Sequence, residues 1–341
     1  VPSPTADRCA EILRRLDAPG LTPAELAPLD DHLDECDACT GARLARARVA
    51  LDEAPPPRVA LGRFVVEELL GSGNMGTVFA GWDPELDRAV ALKVLRPGRD
   101  DDRDAERLLR EARAMAQVRH ANVVTVYDVG RDQDVIYVAM ERVAGPSLRA
   151  AMAAGASSAQ RERWLRQVVH GLAAVHAAGL VHRDVKPDNI FVEGDRAMLG
   201  DFGLATALDL DRDRDAIDAT VARGTEGAGT PAYMAPEQLR GERGDARTDV
   251  FAFGVTAWEA LTGARPFAGA TTLALVRAIE QGPPAIAPGL PPALAAIVRQ
   301  CLHVERARRP ADAAAILAAL EVAPARRPWR RRTAIAGGTL V

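Results

Sequence analysis

Residues 182–203 read HRDVKPDNIFVEGDRAMLGDFG, and no other stretch restricts the chain as much. It places two acids, an amine and an amide close together: Asp184, Asp201, Lys186 and Asn189. A carboxylate can accept a hydroxyl proton, an ammonium can neutralise phosphoryl oxygens, and carboxylate and amide oxygens are hard ligands for Mg²⁺. The bland alternative is a pair of polar turns flanking the apolar strand Ile190–Val192. Four features elsewhere in the chain argue against it.

The first is the use of lysine. Of 43 basic residues only Lys93 and Lys186 are lysine, and the rest are arginine. In a chain so biased, a lysine is retained where a compact ammonium cannot be exchanged for a planar guanidinium. Lys186 lies inside the central stretch. Lys93 lies in Ala89-Val90-Ala91-Leu92-Lys93-Val94, an apolar strand in which a buried ammonium requires an anionic partner.

The second is GSGNMGTVFAGWD, in which Gly71, Gly73 and Gly76 form a G-x-G-x-x-G pattern. Dinucleotide-binding folds share that pattern, but there a helix follows the third glycine. Here Thr77-Val78-Phe79-Ala80 has strand character, so the glycines sit on a β-hairpin whose backbone N–H groups can close over phosphates. The third is the helix AERLLREARAMAQV, which offers Glu111, with Glu106 as competitor, to pair with Lys93. The fourth is Thr230-Pro231-Ala232-Tyr233-Met234-Ala235-Pro236-Glu237, downstream of Asp201.

Together these residues resemble the eukaryotic-like serine/threonine protein kinases of bacteria over about 260 of the 341 residues. The resemblance implies an α+β, bilobal protein kinase fold. A small antiparallel β-sheet lobe with one helix would span 61–141, and a larger, mostly helical lobe 142–323. By resemblance Asp184 is the catalytic carboxylate, Lys186 stabilises the phosphoryl group in flight, and Lys93 is held by Glu111. Asn189 and Asp201 would hold Mg²⁺, or Mn²⁺ in its place. ATP would be lined by Leu70, Gly71, Ser72, Gly73, Asn74, Met75, Gly76, Val78, Ala91 and Lys93. Met140 would stand behind adenine, with Glu141 and Val143 meeting it at the hinge.

The resemblance also implies protein substrates phosphorylated on serine or threonine. Arg183 precedes Asp184, as in kinases ordered by a phosphate that pairs with this arginine. Thr220 and Thr225 are therefore the expected phosphosites, and Thr230 a structural hydroxyl. Asp249 is expected to brace the backbone of the central stretch, and Glu237 to pair with Arg309. A scaffold with a dead kinase fold would show degraded motifs, and none is degraded.

Residues 1–53 carry eleven acidic and six basic side chains and read as a separate helical module. Thr22-Pro23-Ala24-Glu25 starts a helix, with Thr as N-cap, Pro at the first position and Glu closing a capping box. His32, Cys36 and Cys39 share one face of it, and Cys9 completes a Cys3His set suited to tetrahedral Zn²⁺. The spacing H-x3-C-x2-C resembles the small zinc-binding domain of anti-sigma factors, which implies a structural zinc and a partner that regulates the module. Pro55-Pro56-Pro57 mark a stiff linker at 54–60.

Net charge of −4 implies no general affinity for nucleic acid. Four cysteines, unevenly spaced, suit a reducing, cytoplasmic compartment. The tail 324–341 sets five arginines before an apolar run, the pattern of a juxtamembrane segment, so a continuation of the chain could attach it to a membrane. Cys301 lies among Leu294, Ile297 and Val298 and reads as core.

Overall fold

A computed structural model describes residues 59–73, 76–95, 102–133, 135–201, 231–242, 244–269, 271–285 and 292–322. All of these except Val59 belong to the unit that begins at Ala60. The zinc-module residues Cys9, His32, Cys36 and Cys39 lie outside them, as do Asn74, Met75, Thr220, Thr225 and Thr230.

The first lobe is a six-stranded antiparallel sheet in the order β1-β2-β3-β4-β6-β5. Its strands are β1 (Ala60–Leu61), β2 (Phe64–Gly73), β3 (Gly76–Asp83), β4 (Arg88–Leu95), β5 (Val126–Asp132) and β6 (Val135–Glu141). The glycine-rich hairpin forms as read, with Gly73 paired to Gly76 across β2 and β3. Helix α1 (Asp102–Met115) packs on one face only.

Period-2 alternation builds both faces. On β6, Ile136 and Val138 join Leu108, Ala112 and Met115 of α1, while Tyr137 and Ala139 join Phe64, Val90 and Leu92 on the other face. Lys93 falls between Leu92 and Val94, so the pleat turns it toward the α1 side with Leu95. Strand β5 begins only at Val126. Val123 leaves the sheet to bridge Leu199 in the other lobe, which takes the backbone of 122–124 away from β6.

The second lobe contains α2 (Leu148–Ala153), α3 (Ser158–Ala177), the hairpin β7 (Ile190–Glu193) and β8 (Arg196–Leu199), and then α4 (Pro236–Leu239), α5 (Ala246–Thr262), α6 (Thr272–Glu280), α7 (Pro292–Cys301) and α8 (Ala313–Val322). Helix α3 starts at Ser158, at the head of a polar run. Ser157 caps it, and Gln160 returns the bond to the Ser157 backbone, which satisfies end groups that the polar run 158–163 leaves open.

Helix α5 forms the centre of this lobe. Every residue from Thr248 to Ala260 is buried, so no face of the helix meets solvent. Phe251, Phe253 and Val255 pack with Leu165, Leu172, Ile297 and Cys301 in one core. Burial pushes the Cys301 thiol pKa up, which suits its place as an apolar filler.

Glu237 and Arg309 form a buried, two-pronged pair, Nη1–Oε1 at 2.7 Å and Nη2–Oε2 at 2.9 Å. Arg309 also donates to the carbonyls of His303 and Val304, and its guanidinium lies 4.8 Å over the Phe251 ring. Burial raises the Glu237 pKa, but the hydrogen bonds and charge of Arg309 outweigh it and hold the carboxyl below its usual range. Its contribution to stability is therefore complete above the unfolded carboxylate pKa and is lost as pH falls through the lower folded value. Arg309→Met should strand a buried carboxylate and cost about 3–5 kcal/mol in equilibrium unfolding. It should also flatten the loss of stability toward acid, because burial then raises the folded pKa of the stranded carboxyl and protonation relieves it. An unchanged denaturation midpoint would show that the pair holds nothing together.

Candidate functional site

The backbone of residues 182–189 is fastened to α5 before any of its side chains act. Asp249 accepts the His182 and Arg183 N–H groups, each at 2.7 Å, and lies 3.0 Å from His176 Nε2. His176 Nδ1 accepts the Ala313 N–H, so the ring carries its proton on Nε2 and donates to Asp249. Two turns on, Thr256 Oγ1 donates to the Val185 carbonyl. Arg149 of α2 ties Asp188 (2.8 Å) to Glu259 (3.1 Å), and Tyr233 donates to Glu259. Positions 249, 256 and 259 share one face of α5, so one helix holds the segment at three points.

Sequence reasoning found Asp249 but missed Thr256, Glu259 and Arg149. Glu259 was the findable one, as the lone acid in the apolar run 250–261. Burial pushes the Tyr233 pKa up and the hydrogen bond to Glu259 adds to it, so this phenol stays a donor.

Within this frame the polar side chains converge. Asp184, 4% exposed, accepts through Oδ2 from Lys186 Nζ and from Asn189 Nδ2, both at 2.8 Å. Asn189 Nδ2 also donates to the Asp184 carbonyl at 2.9 Å and faces the Asp201 carbonyl at 3.4 Å. His182 is fully buried between them. Its Nδ1 accepts the Asp184 N–H and its Nε2 donates to Gly200 O, and burial pushes its pKa down, so the ring is neutral. Arg183 and Asp201 both adopt left-handed backbone, φ +67° and +52°. Non-glycine residues held this way store strain, and they cluster at functional sites.

The first lobe contributes Lys93, 2% exposed, whose ammonium pairs with Asp201 Oδ1. The pairing differs from the expected one with Glu111. Glu111 Oε1 instead lies 3.5 Å from Arg183 Nη1. The left-handed turn after Gly200 aims the Asp201 carboxylate at the ammonium, and a buried cation takes the carboxylate that reaches it. Beside this pair is a small apolar cavity walled by Met115, Val124, Val126, Val138 and Met140.

Above it, Ala91 is paired with Met140 and Val78 with Lys93. Leu70 and Gly71 are exposed on β2, and the Ser72 and Thr77 hydroxyls lie 3.5 Å apart. Gly76, at φ +122°, could not carry a Cβ, which would meet Val94 O at 2.3 Å. A Cβ on Gly71 would meet no protein atom, so the space over that strand is open to a ligand. Glu141 donates its N–H to Thr125 O at 2.8 Å, and Val143 follows in irregular backbone.

Asn189 and Asp201 are a fitting pair for Mg²⁺. They supply an amide and a carboxylate oxygen from adjoining backbone, and such sites complete their octahedron with water and phosphate. Among the described residues no cluster of three or more His, Cys, Asp or Glu side chains could hold a metal alone. No helix among them is long and apolar enough to cross a membrane.

Residues 64–320 match the protein kinase domain. The serine/threonine-protein kinase PknL of Mycobacterium tuberculosis is 37% identical over 267 residues, which cover 76% of this chain and 65% of that protein. The serine/threonine-protein kinase pkn3 of Myxococcus xanthus is 36% identical over 274 residues, covering 76% and 49%. PknA of Mycobacterium tuberculosis is 36% identical over 269 residues, covering 75% and 59%. The chain thus spans between 49% and 65% of the length of these three relatives. It belongs to the protein kinase family, among the bacterial serine/threonine kinases.

Proposed function

We propose that the chain transfers the γ-phosphoryl group of Mg-ATP to serine or threonine hydroxyls of proteins, in bacterial signal transduction. The observation that carries this reading is the convergence of Lys93 from β4 with Asp201, Asn189, Lys186 and Asp184 from the second lobe. Both hydrogen bonds to the Asp184 carboxylate go to Oδ2. Oδ1 is then the oxygen that orients an incoming hydroxyl and takes its proton. Lys186, already against Asp184, meets the transferred group. The Asn189 amide nitrogen faces three oxygens, which turns its carbonyl oxygen toward the metal side with Asp201. Bound Mg²⁺ supplies charge neutralisation across the phosphates.

Catalysis of this kind is positioning and electrostatics, since the phosphoryl group passes in line between oxygens. The open strand at Gly71 and the hairpin through Gly73, Asn74, Met75 and Gly76 would cover the phosphates. Leu70, Ser72, Val78, Ala91 and Met140 would line the nucleotide. With its N–H engaged, Glu141 would meet adenine through its carbonyl, and Val143 through its N–H.

Arg183 supports a switch in the segment 202–230. Its contact with Glu111 is long and part-exposed, so a phosphothreonine at Thr220 or Thr225 would compete well for the guanidinium. For the N-terminal module, the Cys9, His32, Cys36 and Cys39 set supports a structural zinc and a regulatory partner, because four protein ligands leave no position for chemistry. The basic tail supports membrane attachment through a continuation of the chain.

Phosphate incorporation from Mg-ATP should fall by roughly 10²-fold or more in Asp184→Asn, because the remaining side chain cannot take the proton. Equal incorporation by both proteins would refute the role of Asp184. Peptide mapping after incubation with ATP should place phosphate on Thr220 or Thr225; modification confined to other residues would remove the switch. Metal analysis of the purified chain should find about one zinc per molecule, lost when Cys36 and Cys39 are changed to serine. A metal-free chain with a fully folded N-terminal module would end that reading.

A further inference from the structure

Apart from the cleft of Lys93 and Asp201, a cavity of about 650 Å³ lies where the start of β4, the segment after α1, the start of β5 and β8 meet. Arg88, Arg119, His120, Thr125, Tyr127 and Arg196 line it, and among the described residues no carboxylate does. The whole chain carries a net charge of −4, so this is a local excess of cations rather than a general property of its surface.

The existing bonds of these groups decide what the cavity can take. Arg88 is stacked 3.5 Å over the Tyr127 ring, and its buried Nε has no hydrogen-bond partner. Its nearest carboxylate, Asp83 at 3.6 Å, is already held by Arg63. Arg196 uses Nε on Ala121 O and Nη1 on Glu141, which leaves Nη2. Arg119 is exposed and forms no ion pair with a described residue. His120 Nδ1 accepts the Asn122 N–H, so the neutral ring presents Nε2–H as a donor.

The lining therefore offers three guanidinium groups, an imidazole donor and two hydroxyls. Planar guanidinium forks match phosphate oxygens, and the cavity has the size of a small-molecule site rather than of a bare ion. We propose that this cavity binds a small molecule through a phosphoryl or pyrophosphoryl group, at a site separate from the nucleotide cleft.

Calorimetric titration of the full chain with inorganic pyrophosphate and, separately, with glycerol phosphate, in metal-free buffer, tests this. At least one should bind at a single site. Arg119→Glu should weaken it roughly tenfold or more, the worth of one charge-assisted contact, and Lys93→Met should leave it unchanged. Tighter binding of pyrophosphate would assign the site to inorganic polyanions, and tighter binding of glycerol phosphate to phosphorylated metabolites. Arg196→Gln serves as a second variant should Arg119→Glu fail to fold. No binding of either probe, binding indifferent to both arginine variants, or binding lost in Lys93→Met would overturn the proposal. A chain inactive as a kinase would still bind, so this test and that of Asp184 fail separately.

Discussion

A carboxylate buried in the first turn of α5, with three N–H donors around it, is the contact on which the candidate site depends. An uncompensated charge there would be untenable, and Asp249 is stable because the backbone of His182 and Arg183 and the ring of His176 satisfy it. The exchange works in both directions. The segment 182–189 would otherwise be an irregular loop with unpaired amides, and it holds its shape because a fully buried helix answers them. Arg183 at φ +67° is the visible strain of that arrangement.

The two lobes meet this frame by different means. The second lobe presents Asp184, Lys186 and Asn189 from the braced segment, and Asp201 from the turn after β8. The first presents Lys93 from the interior of a sheet that has apolar cores on both faces. The backbone of 122–124 connects them, since Val124 donates to Leu199 O and Leu199 to Asn122 O. The strand that precedes the Asp201 turn is thereby hydrogen-bonded to the chain that continues into β5.

Much of this was legible in the sequence because the elements concerned have local causes. The apolar run 89–94 located β4, the glycines located the hairpin, and the acids, amide and lysine of 182–203 named the site. The pairing of Lys93 was not legible. Whether its ammonium meets Glu111 or Asp201 depends on the φ of one residue and on the placing of α1, which spacing does not encode. The start of α3 was written in Ser157 and Gln160 but hidden by the polarity of 158–163. The ties from Thr256, Glu259 and Arg149 join segments up to 110 residues apart, and no local pattern marks such partners.

The scarcity of lysine has a consequence for covalent chemistry. Acylating reagents and enzymes that modify ε-amines find only two such groups in the chain, both inside the site. Lys93 is nearly sealed and paired with Asp201, whereas Lys186 is part-exposed beside Asp184. A label read at the lysine ε-amines is thus a direct reporter of the cleft, with the two rates of modification separating its closed interior from its mouth. The 41 arginines of the chain are silent to such reagents.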